Sequence, residues 1–255
     1  MYAEERQQAI ATLIGQRGRV SVADLSEQYG VTTETVRRDL AVLDRTGLIR
    51  RVHGGAVPAA ALTAIELGTT EREHSRAAEK DRIAKAALEF LPPTGGSALF
   101  DAGTTTTRLA ALMPADRELV AVTNSVPIAA RLSGMTGLHL HLLGGRVRGL
   151  TQAAVGPEAL RVLAEMRVDV AYIGTNALST AHGLSTPDFD EAAVKRAMIA
   201  SAHRVVVVAD STKVGREDLV RFAAIDEIDV LVTDTDLLPS VHNELTDCGI
   251  EVVTA

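Results

Sequence analysis

Thr32-Thr33-Glu34-Thr35-Val36-Arg37-Arg38-Asp39-Leu40 wraps threonines and two arginines around an apolar stripe of helical spacing, and its reading decides the first part of the fold. Thr32 is placed to cap a helix, because its hydroxyl accepts amide hydrogens that the first turn leaves unpaired. Val36, Leu40 and Leu43 recur at i, i+4 and i+7 and form the buried stripe. Upstream, residues 22–29 predict a second helix in which Ala23 and Leu25 supply core, with Gly30 suited to a left-handed stop. Arg19-Val20-Ser21 reads as a short extended piece. Before it, Ala9, Ile10, Leu13 and Ile14 define a helix over 4–16 that Arg17-Gly18 ends. The last two helices are joined by about three residues around a glycine, which is helix-turn-helix spacing.

Thr33, Glu34, Arg37 and Arg38 lie off the stripe, where a recognition helix meets base edges in the major groove. An arginine fork matches guanine O6 and N7, and threonine reaches phosphate or a thymine methyl. Gly47 is read as the helix stop. Leu48-Ile49-Arg50-Arg51-Val52-His53-Gly54-Gly55 then reads as a β-wing, with Arg50, Arg51 and His53 placed for backbone or minor-groove contact. Ser21, Thr32 and Thr35 complete the candidate DNA-binding set. An Arg-Arg pair alone reads as a solvated face; the ordered series of helices, glycine turn, cap and basic wing points to DNA.

Charge supports two domains. The 255 residues carry 26 basic and 33 acidic side chains, a net charge of −7. Residues 1–58 hold eight arginines and no lysine against seven acids, a net +1, which leaves −8 for the remainder. A small arginine-only reader attached to an acidic body is compatible with nucleic acid even though the whole chain is acidic. The single cysteine, Cys248, excludes an intrachain disulfide framework. Without an apolar leader or a run long enough to span a bilayer, the chain is expected to be cytoplasmic. The expected division is a winged helix-turn-helix over 1–57, a linker over 58–75 and an α/β sensor over 76–255.

The second part alternates strands and helices. Strands are expected at 98–100, 119–123, 138–143, 168–173, 205–209, 230–233 and 251–253. Helices are expected at 106–112, 126–132, 157–165, 190–202 and 238–246. Such alternation implies a mainly parallel sheet covered on both faces, with ligands bound outside the carboxyl ends of its strands. Asp101-Ala102-Gly103-Thr104-Thr105-Thr106-Thr107 follows the first strand and brings amides and hydroxyls to a helix N-terminus, a ready anion site or a plain polar cap. Thr123-Asn124-Ser125, Gly144-Gly145-Arg146, Gly174-Thr175-Asn176 and Asp210-Ser211-Thr212-Lys213 end other strands. Polar groups with two cations at one sheet edge suit a polyhydroxylated phosphate ester.

The string from Thr32 to Leu40, with Leu43, Gly47, Arg51 and His53-Gly54-Gly55-Ala56, resembles the DeoR family of bacterial transcriptional regulators. Within the family it is similar to actinobacterial repressors of sugar uptake and metabolism. The resemblance spans nearly the whole chain. It implies a sensor related to sugar-phosphate isomerases, a phosphorylated sugar effector that relieves repression, and no cofactor. It places the effector at Asp101, Gly103, Thr104, Thr105, Thr106, Asn124, Gly144, Gly145, Glu191, Lys195 and Lys213. Gly174-Thr175-Asn176-Ala177 departs from the pattern, since many members carry a second glycine there. By the residues alone, Glu191 and Lys195 read as an i, i+4 surface pair. His139 and His141 share a strand face but lack a third metal ligand nearby. Asp188, Asp190 and Glu191 read as helix capping. A homo-oligomer on inverted half-sites would add a second DNA contact. The alternative, an isomerase-like enzyme with an accessory domain, would use Asp101 or Glu191 as base.

Overall fold

The computed structural model describes residues 3–17, 20–46, 48–52, 54–58, 68–114 and 116–255. The chain divides into two compact units, Met1–Glu66 and Leu67–Ala255.

In the first unit α1 (Ala3–Arg17) is followed by β1 (Val20–Ser21), α2 (Val22–Tyr29) and α3 (Thr33–Arg45). The hairpin of β2 (Ile49–Val52) and β3 (Gly55–Pro58) closes it, and β3 also pairs with β1. The capping logic holds. Ser21 Oγ accepts from Asp24 N at 3.0 Å, Thr32 Oγ1 accepts from Thr35 N at 3.2 Å, and Gly30 sits at φ 63°. Ile10, Ile14, Leu25, Val36, Leu40 and Leu43 form the core as their spacing requires. Ala23 does not: it is exposed, and Val22 packs on the core in its place. Arg19, Gly47 and His53, and the side chain of Arg50, lie outside the described residues.

The second unit opens with α4 (Thr69–His74) and α5 (Ala77–Ala87). There follow β4 (Ser97–Phe100), α6 (Thr104–Ala111), β5 (Leu119–Thr123), α7 (Val126–Leu132) and β6 (Leu138–Leu142). A hairpin, β7 (Arg146–Arg148) with β8 (Ala153–Val155), precedes α8 (Pro157–Ala164) and β9 (Val168–Ile173). Next come β10 (Ala177–Ser179), β11 (Gly183–Thr186), α9 (Phe189–Ala200), β12 (Ala202–Val208) and β13 (Val220–Ala223). The chain closes with β14 (Val230–Thr233), α10 (Pro239–Asp247) and β15 (Glu251–Thr254).

Seven strands form a sheet in the order β15-β14-β12-β9-β4-β5-β6, all paired in parallel. Parallel strands buried on both faces need continuous apolar runs, and β12 supplies one. Its Val206 and Val208 face a core with Ile83 of α5, Leu109 of α6 and Ile128 of α7. Val205 and Val207 face the opposite core with Leu163 of α8, Met198 of α9 and Leu245 of α10. Strand order reverses beside β4: β5 and β6 add on one side, and β9, β12, β14 and β15 on the other. The crevice at that reversal is where such sheets hold ligands.

Three features differ from expectation. Helix α6 starts at Thr104 rather than 106, because the Gly103 carbonyl accepts from Thr107 N at 2.9 Å and so extends the first turn backwards. The β7–β8 hairpin and the small antiparallel sheet β10-β11-β13 have no counterpart, since three or four residues hold too few alternations to read. Residues 69–74, expected within the linker, are helix α4, which contacts distant in sequence hold in place. Thr69 donates to the Leu150 carbonyl through its amide at 3.1 Å and its hydroxyl at 2.8 Å.

Candidate functional site

On α3, Arg37 and Arg38 are 59% and 80% exposed and lie 3.9 and 3.7 Å from Glu34. Ion pairs that loose and wet hold a side chain weakly, so both guanidinium groups are free to turn to another partner. Thr33 and Glu34 are exposed beside them, as is Arg51 on the wing. Ser21 and Thr32 spend their hydroxyls on capping, and Thr35 Oγ1 lies 2.9 Å from that of Thr32. Asp39 was not foreseen as important. It is buried, and it accepts from Arg6 Nε at 2.6 Å and Gln7 Nε2 at 2.9 Å, which ties α1 to the recognition helix.

At the carboxyl edge of the parallel sheet a cavity opens between the β4, β9 and β12 ends. Gly103, Thr104, Thr105 and Thr106 line one wall, Gly174 and Thr175 another, Asp210, Thr212 and Lys213 a third, and Arg72, Ser75 and Lys80 the fourth. The first amides of α6 face no helix carbonyl, so they are available to an anion. Thr106 Oγ1 donates to the Gly103 carbonyl at 2.9 Å, which removes it as a ligand group. Thr104 and Thr105 hydroxyls have no such bond among the described residues.

Asp101 and Lys195 form a buried ion pair directly behind this wall. Lys195 Nζ also donates to the Gly174 carbonyl at 2.9 Å, and Gly174 N donates to Asp101 Oδ2 at 3.0 Å. Burial pushes the Asp101 carboxyl up, by more than Lys195 and the Gly174 amide pull it down. Asn124 acts through the backbone: its Oδ1 accepts from Ala102 N at 3.0 Å and its Nδ2 donates to the Ala154 carbonyl at 3.3 Å. It holds the Asp101–Gly103 turn and does not line the cavity.

Besides Asn124, three expected effector residues, Glu191, Gly144 and Gly145, do not line the cavity. Glu191 and Lys195 are not an exposed i, i+4 pair; both are buried, and each serves a different partner. Glu191 Oε1 accepts from Arg148 Nη1 at 3.1 Å and from the Thr151 hydroxyl, which pins α9 to the segment after β6. Gly144 and Gly145 do not reach the cavity. Gly145, at φ 133°, lets the hairpin close: a Cβ there would stand 2.5 Å from the Val155 carbonyl oxygen. Asp188 caps α9, accepting from Glu191 N at 2.9 Å, as helix dipole reasoning has it.

Lys80 and Arg72 escaped the sequence reading. Lys80 is buried, and its Nζ donates to the carbonyls of Arg72 at 2.5 Å and Ser75 at 2.7 Å. Its ammonium pKa falls to about 8, chiefly through burial; Asp210 pulls it up, while Lys213, Arg72 and Arg108 push it further down. Burial of a lysine one turn into an amphipathic helix leaves no mark in the sequence. Both carboxylates that a catalytic reading would use as base are already engaged by cations or hydroxyls.

Residues 6–60 match the DeoR-like helix-turn-helix domain and residues 75–235 the DeoR C terminal sensor domain. An HTH-type transcriptional regulator, GlpR, of Haloferax volcanii is 39% identical over 255 residues, covering 99% of this chain and 98% of its own. A putative aga operon transcriptional repressor of Escherichia coli is 34% identical over 250 residues, covering 98% and 93%. The glycerol-3-phosphate regulon repressor of Escherichia coli is 32% identical over 255 residues, covering 99% of each. Those relatives are named as regulators or repressors, not as enzymes. With a winged helix-turn-helix in one unit and a parallel-sheet sensor in the other, the chain belongs to the DeoR family of transcriptional regulators.

Proposed function

We propose that the chain represses genes of sugar uptake or metabolism and leaves its operator when a phosphorylated sugar fills the cavity of the second unit. One observation carries this reading: Arg72, Lys80 and Lys213 line the same cavity as the N-terminus of α6 with Thr104 and Thr105. Cations, first-turn amides and hydroxyls together match a phosphate group. Gly174 and Thr175, backed by Asp101 and Lys195, offer polar groups to a sugar. The names of the reported relatives, an aga operon repressor and a glycerol-3-phosphate regulon repressor, support the same class. The reader ends near residue 57, and the receptor begins with α4. The chain acts in the cytoplasm as a homo-oligomer on paired half-sites. The likeness to actinobacterial repressors rests on its residues alone; the relatives above come from an archaeon and Escherichia.

A thermal-shift panel of ribose 5-phosphate, glycerol 3-phosphate and hexose phosphates against their parent compounds tests the effector class. A ligand at 100 times its Kd adds about 2.7 kcal/mol, or roughly 5–10 °C in a unit of this size. Thr105→Val and Lys213→Ala should each weaken that ligand roughly tenfold or more. A panel in which no phosphate ester shifts the transition refutes the reading.

The reader has its own test. Arg37→Ala should cost about 1–3 kcal/mol on operator and much less on scrambled DNA if the guanidinium pairs with a base. Equal loss on both means it touches phosphate. Arg51→Ala should reduce the salt slope of binding by about 0.9; an unchanged slope removes the wing residue from the interface.

A further inference from the structure

The turn between α4 and α5 is held from both sides. Arg76 adopts φ 53°, a left-handed conformation uncommon for a residue with a side chain. Its guanidinium reaches Asp234 at 3.0 Å and Asp236 at 2.6 Å beyond the β14 end. On the inner side, Lys80 closes the last turn of α4 by donating to the carbonyls of Arg72 and Ser75. An ammonium has three N–H groups, and these two carbonyls use two. Lys80 also lines the cavity.

No carboxylate bonds to Lys80 among the described residues. The charged groups acting on it are Asp210 after β12, Lys213 in the turn beyond, Arg72 on α4 and Arg108 on α6: one acid against three cations. Neutral carbonyls are its only bonded partners among the described residues. A phosphate in the cavity would supply the missing negative charge.

We propose that Lys80 couples the cavity to the α4–α5 elbow, tying the elbow with two N–H groups and a bound phosphate with the third, so that filling the cavity stiffens α4. This rests on the reading of the cavity as a phosphate site and adds the route by which occupancy is passed on. Helix α4 is the described element that follows residues 59–67, the stretch leading from the DNA-reading unit. A ligand that favours one arrangement of this elbow shifts its population, which is what an effector needs in order to act at a distance.

Two readouts on the full chain test it, with inorganic phosphate and ribose 5-phosphate as probes. Hydrogen exchange should slow about tenfold at the Arg72 and Ser75 amides when either probe saturates the protein. Those amides bond to the Gly68 and Glu71 carbonyls at 3.1 and 3.2 Å, so they report the integrity of α4. Calorimetry at pH 8.5 in two buffers of different ionisation enthalpy should show net proton uptake on phosphate binding, because burial lowers the Lys80 ammonium to about 8 and binding restores its proton. Phosphate itself is already dianionic at that pH. Affinity should accordingly fall as pH rises above 8, while well below 8 the titration of Lys80 adds no further pH dependence. Lys80→Met should abolish both the uptake and the slowing. Saturable binding with either signal missing in the parent protein overturns the role of Lys80 while leaving the phosphate site standing. No binding of either probe overturns both.

Discussion

Replacing Lys195 with methionine is expected to destabilise the sensor unit by about 3–5 kcal/mol at pH 8, because it strips the buried Asp101 carboxylate of its cation. In a unit of this size that lowers Tm by roughly 10 °C or more. The loss should have a definite pH signature. Asp101 is buried, and its carboxyl is already pushed up with Lys195 present. Without Lys195 it must fold protonated, while the unfolded chain releases that proton near the ordinary carboxylate value. The variant's stability therefore falls relative to the parent as pH rises, by about 1.4 kcal/mol per unit between the folded-state value of the parent and the higher one of the variant. Below the unfolded value the deficit largely disappears. Asp101→Asn should destabilise the unit as well, because it leaves the Lys195 ammonium buried without its anion. Thermal unfolding of both variants from pH 5 to 9 checks this. Parallel, pH-independent losses would mean that packing, not charge, holds the pair in place.

Asp39→Ala is expected to abolish operator binding at 37 °C without moving the sensor's thermal transition or its ligand affinity. Asp39 accepts from Arg6 and Gln7 of α1 while sitting on the buried side of α3. Arg6 is itself largely covered, at 11% side-chain exposure, so deletion leaves a poorly hydrated guanidinium behind. That costs about 3 kcal/mol. A unit of some sixty residues has only roughly 3–9 kcal/mol to lose, so a third or more of its stability goes with one side chain. Asp39→Asn keeps an acceptor oxygen for Arg6 and Gln7 and should recover part of the loss. If Asp39→Ala instead leaves the reader's unfolding unchanged and still removes DNA binding, the residue orients α3 without supporting the fold.

The reader was legible because its signals are local. A cap at Thr32, a left-handed stop at Gly30 and an apolar stripe at Val36, Leu40 and Leu43 depend on residues a turn or two apart, and each is found as read. The sheet was legible for the same reason: apolar runs such as residues 205–208 have one stable use, between two layers of helices. The effector wall was half legible. Gly103, Thr104, Thr105 and Lys213 stand at strand ends, where sheet topology gathers ligand groups. Gly144 and Gly145 share that address in the sequence, Glu191 came only from the family resemblance, and all three serve other contacts.

What the sequence determined by itself was the kind of molecule: an arginine-bearing winged reader, joined to a parallel-sheet receptor with polar groups at its strand ends. Periodicity, caps and turn residues act over a few positions, so they can be read along the chain. Only the tertiary structure decided which charges meet. Lys195 reaches Asp101 across 94 positions, Glu191 reaches Arg148 across 43, and α4, inside what reads as linker, brings Arg72 to the cavity beside Lys80 of α5. Burial chooses among the partners a charged side chain could have, and burial is set by the packing of distant segments, which no local pattern records.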